Sequence, residues 1–149
     1  MSMIDLDLFK SVNDAFGHLA GDKILTQLAD TLKKTFRTTD YLARYGGDEI
    51  AVVMPNTGCQ DAFAALERAR DAVSETGFVG PNGRILKITI SAGIAVFPDD
   101  GEDALVLLDK ADRAMYAAKG SGGNRVQLYR PSLDEMAFET ASALDSRLP

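Results

Sequence analysis

Hydrophobic residues in the first third of the chain alternate between strand-like runs and one helical stripe. Residues 1–5 form an apolar run that ends in an acid, which predicts a buried strand with Asp5 at its C-terminal end. Behind the Gly21-Asp22 pair, apolar residues recur at helical spacing: Ile24, Leu25, Leu28, Ala29, Leu32 and Phe36. The runs YLARY and EIAVVM then flank a glycine and aspartate turn, so they predict a β-hairpin.

The remaining pattern predicts two more helices and two more strands. The first of these helices buries Ala62, Phe63, Leu66, Ala69 and Val73. Alternation then predicts a strand with one buried face, formed by Leu86, Ile88, Ile90 and Ala92. After the loop PDDGED, the second helix turns inward Leu105, Leu108, Ala111, Met115 and Ala118. The run GSGG stops this helix, and RVQLY predicts a last strand.

This order of elements, β-α-β-β-α-β followed by α-β, predicts an α+β fold. Its core is ferredoxin-like, an antiparallel βαββαβ sheet with helices on one face, and it carries an additional C-terminal αβ unit. In such a core the end of the first strand lies beside the tip of the central hairpin. We therefore expect Asp5 and Asp48 to meet in space, although they are far apart in sequence.

The character of the sequence changes after Tyr129. Ser132 and Glu135 have the spacing of a capping box. An apolar stripe follows at helical steps, made of Leu133, Ala137, Ala141, Leu144 and Leu148. We interpret residues 1–130 as the domain and residues 131–149 as a C-terminal linker helix that leads to further domains of a longer protein.

Charge and cysteine content limit the possible binding partners and the possible cellular compartment of the protein. A net charge of −6 argues against a nucleic-acid polymer, because phosphate backbones are bound mainly by clustered Lys and Arg. A small phosphorylated ligand is still compatible with this negative charge if a cation screens its phosphates. Cys59 is the only cysteine, so no intramolecular disulfide is possible. With neither an apolar run of roughly 20 residues nor a signal segment, we expect a cytoplasmic location, while membrane attachment of the full-length protein stays open.

The hairpin tip RYGGDEI places two adjacent carboxylates, Asp48 and Glu49, between arms that are built to be buried. An acidic pair in a glycine turn is most often simply solvated. The nearby end of the first strand supplies a third acid, Asp5, and three close carboxylates would repel one another without a cation. The combination favours a metal or catalytic site over a plain turn.

Four segments, IDLDLFKSVNDAFGHLAGD, RYGGDEI, SAGIAVFP and KADRAMYAAKGSGGN, together resemble the GGDEF family of diguanylate cyclases. They occur in the family's order over about residues 1–129. The resemblance implies the nucleotidyl cyclase palm-like fold and the condensation of two GTP molecules to cyclic di-GMP with release of two pyrophosphates. Each GTP would be held by one half of a homodimer. The helix and LTGLPNR-like segment that usually precede the first strand have no counterpart here.

The resemblance also implies roles for particular residues. The ligands of Mg²⁺ (or Mn²⁺) would be Asp5, the carbonyl of Leu6, Asp48 and Glu49, and the last two would be catalytic. Asn13 and Asp22 would recognise guanine, and Lys10 and Lys119 would contact phosphates. Simpler interpretations stay open: Asn13 as a turn residue, Asp22 as a helix cap, the lysines as surface charges, and His18 as a structural residue.

Residues 37–40, RTTD, resemble the family's inhibitory site for its own product. Arg37 and Asp40 have the RxxD spacing, and Arg68 on the next helix would supply a second cation. The alternative is a surface ion pair at a helix end, which contributes under about 1 kcal/mol.

Two positions depart from the family pattern. Ile50 stands where the family has Phe, and this side chain should face the core. Gly123 stands where the family uses an arginine near the phosphates, and Arg125 follows two residues later. Two functions stay open. One is an active cyclase with product feedback through the RxxD site. The other is a catalytically weak or silent GTP- or cyclic di-GMP-binding regulatory domain attached to an EAL phosphodiesterase.

Overall fold

The structure of the protein, a computed structural model, describes residues 1–132. The helices and strands confirm the predicted order, with some additions. They are β1 (Ser2–Leu6), α1 (Phe9–Phe16), α2 (His18–Thr35), β2 (Tyr41–Gly46), β3 (Glu49–Val53), α3 (Cys59–Glu75), β4 (Phe78–Val79), a 3₁₀ turn (Pro81–Gly83), β5 (Ile85–Leu86), β6 (Ile90–Ile94), α4 (Ala104–Gly120) and β7 (Val126–Leu128).

Five strands form the main sheet in the order β2-β3-β1-β6-β7. The first four are antiparallel to their neighbours, which is the strand order of a ferredoxin-like core. β7 adds to this core in parallel with β6, as the last strand of the additional αβ unit. The predicted α+β class is therefore confirmed.

Helices cover both faces of the sheet. On one face α2 and α3 pack against a core that includes Ile4 and Leu6 of β1, and on the other face α4 packs around Met3. The expectation of core helices on one face is confirmed for α2 and α3, and α4 of the additional unit covers the opposite face. The reason is that β1 and β6 are buried on both sides, since successive side chains of a strand point to opposite faces.

The contact between α4 and the sheet depends on Gly93 of β6. A Cβ atom at this position would lie 2.0 Å from the carbonyl oxygen of Ala111 and 2.2 Å from the backbone nitrogen of Met115. The helix and the strand therefore touch backbone to backbone, which fixes the height of α4 above the sheet.

The region between β1 and α2 differs most from the prediction. α1 was not predicted, although Phe9, Val12 and Phe16 form a half-buried apolar stripe, because its eight residues span only about two helical turns. α2 begins at His18 rather than behind Gly21, and its N-cap position is Gly17, with φ of 81°. Asp22 therefore lies inside the helix, and its interpretation as a helix cap was wrong.

Two smaller differences follow from tertiary packing. The predicted strand around residues 86–92 is divided: β5 pairs with β4 in a separate two-stranded ribbon, and β6 begins only at Ile90. In α4, Leu105 is 75% exposed and Leu107 is buried instead. Ile50 is buried in the core, as expected.

The predicted linker helix falls almost entirely on residues 133–149, which lie outside the described part of the chain, and it stays a prediction. Within residues 1–132 the helices are too short or too polar to cross a membrane.

Candidate functional site

The acidic end of the sheet is assembled by strand register. Asp5 of β1 lies opposite Glu49 of β3 on one side and opposite Ser91 of β6 on the other. The β2–β3 pairing is irregular between Arg44 and Gly46, next to the turn that carries Asp48. A Cβ at Gly46 would lie 3.0 Å from Oε2 of Glu49, so the bare glycine leaves room for that carboxylate. The register thus brings Asp5 beside the hairpin acids, as the sequence predicted.

Asp5 is a buried carboxyl with a single cationic partner in the described structure. The residue is 6% exposed, and Nζ of Lys119 donates to its Oδ1 at 2.5 Å. Burial raises the pKa of Asp5 to about 6; the Lys119 hydrogen bond opposes this shift, and the charges of Asp48 and Glu49 add to it. Asp5 is therefore an acid whose charge depends on the cation beside it.

Lys119 reaches Asp5 from the last turn of α4. Its side chain is 34% exposed and is held in the ion pair, so its interpretation as a free surface charge was wrong. The ammonium thus lies at the acidic end of the sheet. The carboxylates there would attract a metal ion, and the ammonium would attract a phosphate.

A cavity of about 460 Å³ opens beside the hairpin tip. It is lined by four of the predicted site residues, Lys10, Asn13, Asp22 and Asp48. The other lining residues are Phe9, Asp14, His18, Leu25, Arg44 and Gly47. The volume is within the usual range for small-molecule sites. The structure therefore joins the predicted base-recognition residues and one hairpin acid in a single space.

Asn13 of α1 is fitted closely against Gly21 of α2 at the wall of this cavity. Its Oδ1 is buried and has no hydrogen-bond partner among the described residues. Gly21 makes room for it, because a Cβ there would lie 2.0 Å from Oδ1 of Asn13 and 2.9 Å from Cζ of Phe9. Asn13 thus lines the cavity while its Oδ1 is packed against α2.

Two cavity residues were missed or misjudged from sequence. Arg44 lines the cavity and donates from Nε to the carbonyl oxygen of Gly47 at 2.9 Å, which ties the side chain to the hairpin tip. Its place next to the YGG turn was the only available signal. His18 was expected to be structural, but it is exposed and lines the cavity.

The acids do not form a preassembled metal cage. Within residues 1–132, no three His, Cys, Asp or Glu side chains are close enough together to hold a metal ion. The donor chemistry nevertheless suits a hard divalent cation, because carboxylate and carbonyl oxygens are its preferred ligands. The Lys119 ammonium on Asp5 indicates that positive charge is stabilised there. These residues fit such an ion once Lys119 moves aside, and the ligand assignment stays a prediction.

The RxxD segment forms a compact turn between α2 and β2. The backbone N–H of Arg37 donates to Oδ2 of Asp40 at 2.9 Å, and Oδ1 of Asp40 is buried without a partner among the described residues. Within that part of the chain no ion pair joins the two side chains, so the alternative of a surface ion pair is not supported. Arg68 is exposed on α3, and no hydrogen bond connects it to this turn. The turn leaves the Arg37 guanidinium available.

The loop between α4 and β7 contains the second departure from the family pattern. Gly123 has φ of 72°, a left-handed conformation that favours glycine. Nε of Arg125 donates to the carbonyl oxygen of Gly123 at 3.2 Å. Arg125 therefore folds back over the loop in which the family's arginine is missing.

Comparisons with known proteins agree with this geometry. Residues 1–125 match the family described as diguanylate cyclase, GGDEF domain. Diguanylate cyclase A from Treponema denticola is 40% identical over 131 residues, which cover 88% of this chain and 35% of that protein. The chain therefore belongs to the GGDEF domain family, and it spans about a third of the length of this relative.

Solved structures show the same fold. A structure of YfiN from Pseudomonas aeruginosa that comprises only the GGDEF domain is similar with a TM-score of 0.86 at 31% identity, over 91% of this chain and 79% of that chain. The GGDEF domain of DgcB from Caulobacter crescentus, in complex with c-di-GMP, is similar with a TM-score of 0.77 at 30% identity, over 85% and 75%. Four helices and a five-stranded sheet thus follow the nucleotidyl cyclase palm-like arrangement.

The raised pKa of Asp5 predicts a pH-dependent loss of stability in metal-free protein. Folded Asp5 keeps its proton up to a pH of about 6, whereas the unfolded carboxyl releases it near 3.8. The stabilising contribution of protonated Asp5 is therefore complete below about pH 4 and is lost as the pH rises through about 6. Asp5→Asn cannot ionise, so relative to the parent it should gain about 1–3 kcal/mol more at about pH 7.5 than at about pH 4.

Thermal or urea unfolding in EDTA at the two pH values measures this difference. Comparing the two pH values within each variant cancels pH-independent effects of the substitution, such as altered packing. A difference between parent and variant that does not change with pH would contradict the prediction.

Proposed function

We propose that the chain is the catalytic domain of a diguanylate cyclase, which condenses two GTP molecules to cyclic di-GMP and releases two pyrophosphates. The observation that carries the proposal is the cavity, which Asn13 and Asp22 line together with Asp48 of the acidic hairpin. Such a space has groups for a purine edge and for a phosphate-bound cation. The family of the chain supports the same reaction class.

Guanine recognition is assigned to Asn13 and Asp22. Guanine presents an acceptor at O6 and donors at N1 and N2, and an amide together with a carboxylate can pair with both kinds of group. The packing of Gly21 against Asn13 holds the amide at the cavity wall before any ligand arrives. Binding therefore loses little side-chain entropy at this position.

The acids are assigned to cation binding and to the chemical step. Asp5, the carbonyl of Leu6, Asp48 and Glu49 would hold Mg²⁺ or Mn²⁺, as diguanylate cyclases generally need a divalent metal. When bound, the metal neutralises the triphosphate and lowers the pKa of the attacking hydroxyl. Glu49 lies opposite Asp5 in the sheet and is placed to accept the proton of that hydroxyl.

The lysines are assigned to the triphosphate. Lys10 lines the cavity, and the Lys119 ammonium lies against Asp5 at the acidic end of the sheet. The 3′-oxygen of one GTP attacks the α-phosphorus of the other, the bond to pyrophosphate breaks, and cations offset the charge on the leaving group. An ammonium group in the cavity and one at the acidic end of the sheet suit this requirement.

One cavity holds one nucleotide, so the reaction needs a second copy of the chain. The attacking hydroxyl would come from a GTP on the facing copy of a homodimer. We propose a cytoplasmic location, where GTP is available, and control by further domains of a longer protein. The partners are then GTP, cyclic di-GMP and another copy of this domain, with no nucleic-acid polymer.

Product feedback is assigned to the RxxD turn. Asp40 fixes the turn through the backbone of Arg37, which leaves the guanidinium available for a phosphate or a guanine edge. Arg68 on α3 would add a second cation. The turn follows α2 and lies outside the set of residues that line the cavity, so product bound there need not compete with GTP.

A second candidate function is a catalytically weak or silent domain that binds GTP or cyclic di-GMP and regulates an attached EAL phosphodiesterase. Gly123 favours it, because the phosphate end lacks one guanidinium. Retention of all three acids favours the enzyme.

The first test is direct synthesis. Purified protein incubated with GTP and Mg²⁺ should form cyclic di-GMP and pyrophosphate, resolved by chromatography. Asp48→Asn removes a carboxylate from the hairpin tip while keeping its shape, and it should lower turnover by at least about a hundredfold. An Asp48→Asn protein that works at the parental rate would rule out the metal assignment. GTP binding without product in the parent would support the regulatory alternative.

Base selectivity provides a second test. GTP should bind at least about tenfold more tightly than ATP, since adenine would leave the amide and carboxylate partly unpaired. Asn13→Ala should reduce this ratio, whereas Asp14→Ala, which changes another cavity residue, should preserve it. Calorimetric titration measures all six affinities, and an unchanged ratio in the Asn13 variant would remove the assignment.

Arg37→Ala should weaken cyclic di-GMP binding by about tenfold or more and relieve product inhibition, because the guanidinium is the proposed anion contact. Its initial rate should stay parental. Lys34→Ala removes an exposed cation just before the turn and serves as the control. If the two variants bind cyclic di-GMP equally well, the RxxD turn has no role in feedback.

A further inference from the structure

Asp7, two residues beyond Asp5, is a carboxylate that the proposed reaction does not use. Its Oδ2 accepts from Oγ1 of Thr89 at 2.7 Å and from the backbone N–H of Asn124 at 2.8 Å. Its Oδ1 accepts from Oγ of Ser91 at 2.7 Å, and Ser91 is fully buried. Three donors from two separate segments therefore converge on one side chain.

These donors connect the sheet to the loop after α4, residues 121–125. Thr89 immediately precedes β6 and Ser91 lies in it, whereas Asn124 belongs to this loop. Gly123 packs so closely that a Cβ there would lie 3.0 Å from Cγ of Asp7. The carboxylate thus holds the loop at van der Waals distance from the end of β1.

The loop is in turn continuous with the last turn of α4. The N–H of Gly122 donates to the carbonyl oxygen of Lys119 at 3.0 Å, and the N–H of Gly123 donates to that of Ala118 at 3.1 Å. A shift of the loop would therefore move the residue whose ammonium contacts Asp5.

We propose that Asp7 is a positioning residue that clamps the loop after α4 and thereby places the Lys119 ammonium at the phosphate end of the site. It is not a metal ligand, because both of its oxygens already face donors, and the N–H of Asn124 cannot turn away as a hydroxyl can. Its effect on the reaction passes through Lys119. The proposal rests on the assignment of Lys119 to the triphosphate.

Binding of 3′-deoxy-GTP and of 3′-deoxyguanosine with Mg²⁺ measures the phosphate contribution without turnover, since neither has an attacking hydroxyl. Asp7→Ala should reduce the preference for the triphosphate by about tenfold, the value of one charge-assisted contact. It should leave the nucleoside affinity parental, because the cavity residues are untouched. Amide hydrogen exchange at Asn124 should become faster in the same variant.

Asp7→Asn should behave like the parent. Its amide oxygen can take the place of Oδ2 and accept from Asn124, while its NH₂ group donates to the hydroxyl oxygen of Ser91. Asn124→Gly should also preserve the preference, since it removes only the bond from Nη1 of Arg70 and keeps the backbone N–H. Lys119→Met should reduce the preference at least as much as Asp7→Ala, without changing exchange at Asn124.

Three results would overturn the clamp: a parental preference in Asp7→Ala, an Asp7→Asn protein as impaired as Asp7→Ala, or unchanged exchange at Asn124. If Asp7→Ala does not fold, Thr89→Val with Ser91→Ala replaces it and should show the same effects more weakly. If the parent lacks a triphosphate preference, the role of Lys119 in the proposed function fails, and exchange at Asn124 still decides whether Asp7 holds the loop.

Discussion

The pairing of β1 on both sides is the constraint on which the site depends. Because β1 lies between β3 and β6, Asp5 has a fixed neighbour on each side, Glu49 and Ser91. A slip of one residue would turn Asp5 to the opposite face of the sheet. The register is secured by a core on both faces, so the hydrophobic pattern of the strand also determines where its acid lies.

The same strand pairing makes the ionised form of Asp5 unfavourable at this end of the sheet. Asp5 is withdrawn from water and lies near two further acids, which raises its pKa to about 6. The single ammonium of Lys119 offsets part of this unfavourable effect. Such unfavourable arrangements tend to occur where a ligand completes them.

Local patterns were sufficient to predict the strands, the hairpin and most of the helices, and therefore the meeting of Asp5 with the hairpin acids. α1 was not predicted because its eight residues span only about two helical turns, so the apolar spacing of Phe9, Val12 and Phe16 repeats too few times to identify a helix. The role of Asp7 was not predicted for a different reason. Its partners come from β6 and from the loop after α4, and no local spacing encodes contacts between such distant segments. The sequence motifs were sufficient to predict the residues that face a ligand, whereas the residues that position them could be identified only from the three-dimensional structure.

The position of the Lys119 ammonium also depends on Gly93, a residue that contacts none of the charged groups at the acidic end of the sheet. The missing side chain lets α4 rest with its backbone on β6, and Lys119 lies about one helical turn beyond that point of contact. The helix is therefore held at two places, by its backbone contact with Gly93 and by the loop after it. A side chain at position 93 would push α4 away from the sheet, and the Lys119 ammonium would be drawn away from Asp5 although no charged residue had been changed.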